Sequence, residues 1–140
     1  MNQHLHLITL GVRDFEKSYE FYTKTLGWKV SRPQEDIAFF QAGGVALAIY
    51  PRELLAEDAV VSPEGSGFSG ITLAYNARSE AEVDEIIKEL KSKGVKIVKE
   101  PQQVFWGGYS SYFADPDDYR WEVAYNPFFE FDENGNLKLD

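Results

Sequence analysis

Glu122 is the residue in this chain best placed to do chemistry. It stands between Trp121 and Val123 in Arg120-Trp121-Glu122-Val123-Ala124-Tyr125, a run that reads as a strand. A carboxylate there should point into a cavity, because the helix-covered side of a sheet would bury it unpaired. From a cavity it can hold a ligand cation, act as a general base with a raised pKa, or hydrogen-bond to Thr9, Thr72 or a tyrosine. The second unusual run is Val104-Phe105-Trp106-Gly107-Gly108-Tyr109-Ser110-Ser111-Tyr112-Phe113. Its two glycines let backbone approach closely, and Trp106 and Tyr109 offer flat apolar faces with polar tips. Such a wall can stack on a planar or cationic ligand; core aromatics beside a bulged strand are the plainer reading. Phe39, Phe40 and Tyr50 can line the opposite wall, with core packing expected of two of the three.

Most other chemistries are excluded. The chain has no cysteine, hence no disulfide, thiolate nucleophile or Cys-ligated metal. Its two histidines, His4 and His6, sit at the N-terminus and belong to no Ser/His/Asp arrangement. Gly107-Gly108 is followed by neither a helix start nor a lysine, so it is not a phosphate loop. Asp132-Glu133-Asn134-Gly135-Asn136 has its glycine too early for an EF-hand and reads as a turn. Fourteen basic against twenty-three acidic residues give a net charge of −9, which disfavours nucleic acid. No signal peptide or membrane-spanning run is visible, and a cytoplasmic protein with no membrane partner is the expectation.

Around these residues the elements come in duplicate. Leu5 to Val12 reads as a strand and Asp14 as an N-cap. A helical face follows in Phe15, Ser18, Tyr19, Tyr22 and Leu26, ended by Gly27. Trp28–Val30, Ile37–Gln41 and Val45–Tyr50 read as strands, with Ala42-Gly43-Gly44 as a turn. A connector with a short helix at Arg52–Glu57 leads to the repeat. Ile71-Thr72-Leu73 echoes Ile8-Thr9-Leu10, with the large aliphatics expected under the helices and the threonines on the concave side. Ser79-Glu80-Ala81-Glu82 is a capping box, and Val83, Ile86, Ile87 and Leu90 form the apolar face before Gly94. Gly94-Val95-Lys96-Ile97 matches Gly27-Trp28-Lys29-Val30. Strands near Ser110–Phe113 and Arg120–Tyr125 flank a type I turn at Asp115-Pro116-Asp117-Asp118. The 140 residues suit a single α+β domain of two tandem βαβββ modules. Module one covers 5–55, a connector 56–67, module two 68–126, and an extension 127–140 whose Phe128, Phe129 and Phe131 are expected to pack back on the body or a second subunit.

Ile8-Thr9-Leu10-Gly11-Val12-Arg13-Asp14-Phe15-Glu16-Lys17-Ser18, with Phe21-Tyr22 and Leu26-Gly27-Trp28, resembles the opening of the glyoxalase / bleomycin-resistance / extradiol-dioxygenase proteins, the vicinal oxygen chelate superfamily. Tyr112-Phe113-Ala114-Asp115-Pro116-Asp117 with Trp121-Glu122-Val123 resembles its closing signature. The resemblance spans nearly all of residues 5–126 and implies curled sheets around a cavity, helices outside, and a homodimer. It also implies one divalent metal, held by His or Gln plus Glu from the first and last strands of each module. Carried over, those positions are Leu7, then Leu47 (or Ala46 or Ala48), then Gly70, then Glu122. Only Glu122 is a ligand type. His6 is one residue from the required place, on the opposite face unless a bulge turns it.

The expectation is therefore a family member with no metal or other cofactor, binding a small aromatic or cationic molecule. Trp106, Tyr109, Glu122, Thr9, Thr72, Phe39 and Tyr50 are the expected contacts. The alternative is an enzyme of the lactoylglutathione-lyase, isomerase or dioxygenase type. Its catalytic residue is Glu122, acting as a metal-free base or with one divalent ion and His6.

Overall fold

Asp14 ends one element and begins the next. In the computed structural model, which describes residues 6–33, 35–69 and 71–138, β1 (Leu7–Val12) leads into α1 (Phe15–Glu20). The Asp14 carboxylate accepts a hydrogen bond from Lys17 N at 3.0 Å, satisfying one of the helix's free donors. The helix does not run to Leu26 in α geometry, as its period predicts. Phe21–Thr25 form a π-helical turn, closed by a bond from Leu26 N to Phe21 O at 3.0 Å. That wider turn accommodates two consecutive buried aromatics, Phe21 and Tyr22. Gly27 leaves it with φ +72°, the left-handed stop expected of it. Trp28 and Lys29, expected in the next strand, precede it, since β2 is Val30–Pro33. The Trp28 ring packs instead on Tyr22 at 5.7 Å and Phe40 at 5.9 Å.

β3 (Ala38–Ala42), β4 (Val45–Pro51) and α2 (Arg52–Asp58) complete the first set. β1 runs parallel to β4, and the sheet order is β1-β4-β3-β2. The second set repeats it with β5 (Thr72–Asn76), α3 (Glu80–Ser92), β6 (Lys96–Gln103), β7 (Tyr109–Ala114) and β8 (Arg120–Tyr125), in the order β5-β8-β7-β6. This is the duplicated α+β plan expected from the sequence. Ser79 caps α3 by accepting from Glu82 N at 3.1 Å, and the Glu82 carboxylate reaches back to Arg78 N at 2.6 Å. Val83, Ile87 and Leu90 are buried, and Ile86 is half-buried. Ile71, expected under a helix, precedes β5 and is 43% exposed.

The chain divides into two compact units, residues 1–66 with 131–137 and residues 67–130 with 138–140. Leu10, Val12, Tyr22, Phe40 and Ile49 fill the first core; Val83, Ile87, Leu90, Phe113, Trp121 and Val123 fill the second. β9 (Glu130–Phe131) and β10 (Leu137–Lys138) form a small hairpin. Its turn is organised by the Asp132 carboxylate, which accepts from Asn134 N, Asn136 N and Asn136 Nδ2. The bonds from Asn136, side chain first, hold that carboxyl below its ordinary value. Phe129 and Phe131 are half-buried, while Phe128 is 75% exposed in the single chain.

Candidate functional site

Strand register decides which side chains meet on β7 and β8. Tyr112 lies opposite Glu122, Ser110 opposite Ala124, and Ala114 opposite Arg120. Alternation sends Ser110, Tyr112 and Glu122 to one face, and Ser111, Phe113, Trp121 and Val123 to the other. α3 packs on the second of these faces. Glu122 therefore stands away from the helix, where a carboxylate need not be buried unpaired. It is half-buried: Oε1 accepts from Ser110 Oγ at 2.7 Å, and Tyr112 stands directly across the strand pair from it. Lys99, opposite Tyr112 on β6, holds its Nζ 5.9 Å from the Tyr112 ring centroid.

Burial first, then the neighbouring Glu122 charge, push the Tyr112 phenol above its ordinary 10.0. It is thus a protonated donor at neutral pH. Tyr75 is raised chiefly by burial and Tyr109 chiefly by its bond to Asp84. A folded value above the unfolded one means that the native state holds the proton more tightly. The associated stability is complete below pH 10.0 and is lost as pH rises through the folded value. Denaturant midpoints measured at about pH 9 and about pH 11 should fall in the wild type and fall less in Tyr112→Phe. Equal falls would contradict the assignment.

Not every expected contact joins Glu122. Tyr109 is on the wrong face: its Oη donates to Asp84 Oδ1 of α3 at 2.8 Å, on the helix side of the sheet. Tyr109 shares its face with Ser111 and Phe113, one step out of phase with Ser110. Thr72 pairs with Arg120, and Ala74 is the β5 neighbour of Glu122. Trp106 is half-buried in the β6–β7 turn with its indole across Gly108, where a Cβ would lie 1.6 Å from the ring.

In the first unit, Phe39 lies opposite Ala48, and Thr9 lies on the other side of Ala48. Phe39 and Tyr50 thus face away from Tyr22, while Phe40 points to it and is 1% exposed. Phe39 and Tyr50 line a cavity of about 380 Å³ together with Glu35, Asp36 and Ile37. Two of the three rings line a cavity and one is core, the reverse of the expected proportion. Thr9 is half-buried on the same face but is not part of that lining. Sequence reasoning missed Ser110, Tyr112, Lys99, Glu35 and Asp36. For the first two, a tyrosine partner was expected of Glu122, but choosing Tyr112 and Ser110 requires the hairpin register.

The described residues do not fit the divalent metal implied by the resemblance. The register places Ala46 opposite Leu7, and not the Leu47 first expected, which pairs with Ile8; neither Leu7 nor Ala46 has a side-chain lone pair to donate. It runs unbroken from Leu7 to Val12, so no bulge there brings His6 to the Leu7 face. Gly70 and His4 lie outside the described residues. Among those described, no three His, Cys, Asp or Glu side chains gather as a ligand group. Arg120 Nη1, the buried side-chain atom there without a hydrogen bond, is a cationic donor 3.3 Å from Asp118 Oδ1.

Comparison with known proteins agrees with this architecture. The model of the Glyoxalase/Bleomycin resistance protein/Dioxygenase superfamily matches residues 4–123. Uncharacterized protein YraH of Bacillus subtilis (strain 168) is 33% identical over 116 residues, covering 79% of this chain and 88% of that protein. Lactoylglutathione lyase GLX1 of Arabidopsis thaliana is 29% identical over 126 residues, 85% of this chain; the match spans 42% of that longer protein. The crystal structure of a glyoxalase-related enzyme from Fulvimarina pelagi superimposes with a TM-score of 0.87 at 33% identity, covering 99% of each chain.

Proposed function

Since the chain belongs to the Glyoxalase/Bleomycin resistance protein/Dioxygenase superfamily, with its two βαβββ units, we propose that it binds a small aromatic or cationic molecule without the family's divalent metal. The observation that carries this reading is the state of the ligand positions. Leu7 and Ala46 put hydrocarbon where lone pairs are needed, and the Glu122 carboxylate is already engaged by the Ser110 hydroxyl. A single carboxylate holds a divalent ion poorly against water, because hard cations take several oxygen or nitrogen donors. The aromatic cavity of the first unit supplies the alternative means of holding a ligand.

The Glu122–Tyr112 pair favours a second reading, turnover without metal. Glu122 would take a proton from a substrate carbon while the Tyr112 hydroxyl supports the developing oxyanion. The Arabidopsis and Fulvimarina relatives carry the names of enzymes, which supports the turnover part of this reading.

Elemental analysis of purified protein, with melting scans against Ni²⁺, Zn²⁺, Mn²⁺ and Fe²⁺, tests the main reading. The expected result is sub-stoichiometric metal and indifference to all four ions. Near-stoichiometric metal, or a rise of several degrees abolished by Glu122→Gln, would overturn it.

A further inference from the structure

We propose that the cavity lined by Glu35, Asp36, Ile37, Phe39 and Tyr50 takes an organic ammonium ion; this refines the binding reading above and rests on it. Phe39 and Tyr50 come from neighbouring strands and share one face of the sheet, giving two aromatic rings to a space of about 380 Å³. Ile37 adds hydrocarbon. Glu35 and Asp36, just before β3, line the same space, and neither is joined to a cation by an ion pair or hydrogen bond among the described residues.

Elimination among ligand classes follows from that lining. Two unneutralised carboxylates repel an anion. A bare divalent ion would find two solvent-facing acids, keep most of its water, and gain nothing from Ile37. A neutral aromatic would pack on the rings and leave both carboxylates without a countercharge. An alkylated ammonium uses every part: its charge meets Glu35 and Asp36, its polarised C–H shell meets Phe39 and Tyr50, and its hydrocarbon meets Ile37. The volume is at the small end of the ~300–1,000 Å³ typical of ligand pockets, enough to seat a single ring or a short chain. A net charge of −9 draws such a cation in from a distance.

Titration calorimetry with benzyltrimethylammonium, benzyl alcohol and benzoate tests the assignment on the intact chain. The ammonium should bind about tenfold or more tighter than the alcohol, and benzoate should not bind. Its affinity should fall about tenfold in the Glu35→Gln/Asp36→Asn double variant and weaken in about 0.5 M salt. Both acids are exposed, so this variant keeps the fold, and circular dichroism verifies that. Tyr50→Leu should weaken the ammonium as well. Equal binding of ammonium and alcohol, full affinity in the double variant, or no binding of any probe would each overturn the ammonium assignment. The metal-free reading is decided separately by metal content and by melting scans whose shift is traced with Glu122→Gln. A neutral-tolerant cavity therefore leaves it standing, whereas stoichiometric metal removes it whatever the probes do.

Discussion

Phe40→Ala should lower the unfolding free energy by about 3–5 kcal/mol. Phe40 is 1% exposed and sits in β3, between β2 and β4, so the backbone around it cannot readily collapse into the space left behind. Its ring lies 5.7 Å from Tyr22 and 5.9 Å from Trp28, and Tyr22 in turn meets Phe21 edge-on at 5.3 Å. The loss combines the transfer of a large apolar side chain, the cavity, and aromatic contacts of about 0.5–1.5 kcal/mol each. Urea unfolding followed by fluorescence measures it, with Trp28 as a reporter inside the affected cluster. Phe39→Ala is the internal comparison: adjacent in sequence, half-buried on the opposite face, and expected to cost roughly 1 kcal/mol. Similar losses at both positions would mean that the face assignment of β3 is wrong.

The second large effect is expected at Gly108. A Cβ built there meets the Trp106 indole at 1.6 Å, 2.1 Å and 2.6 Å, so alanine and the ring cannot occupy their places together. Gly108→Ala should swing the indole into solvent, red-shift the fluorescence and cost about 1–3 kcal/mol, the usual range for overpacking. Gly44 is the control, since nothing lies within 4 Å of its added Cβ and alanine there should be nearly neutral. Unchanged fluorescence in Gly108→Ala would show that Trp106 does not rest on the hairpin.

Much of the architecture could be read from the sequence because its signals were local. Asp14 and Ser79 cap through side chains that reach backbone three residues on, Gly27 and Gly94 through their own positive φ, and each begins or ends a helix where expected. The orientation of Glu122 followed from one energetic argument about unpaired burial. Its partners did not, because they depend on hairpin register. A four-residue turn at Asp115–Asp118 would set Ser111 against Glu122. In the structure Asp118 takes φ +69° and the loop closes one residue later, with Asp115 N donating to Tyr119 O at 3.1 Å. That single left-handed residue moves Tyr112 opposite Glu122. The Phe39–Tyr50 cavity was half visible: the rings were named, but Glu35 and Asp36 carry no periodic signal and read as loop acids. The π-helical turn had no signature, since Ser18, Tyr22 and Leu26 keep the spacing of an α-helical face.

The shared strand order has a bearing on synthesis. In each unit the opening strand lies beside the closing one, parallel to it, and among the described residues it stands at the edge of its four-stranded sheet. On the ribosome β1 therefore emerges long before β4, and β5 long before β8. The β3–β4 and β7–β8 hairpins can zip as they appear, whereas the parallel ladder must wait for nearly the whole unit. Until then Leu7–Val12 is an apolar ribbon without a mate, the segment of the nascent chain most in need of shelter.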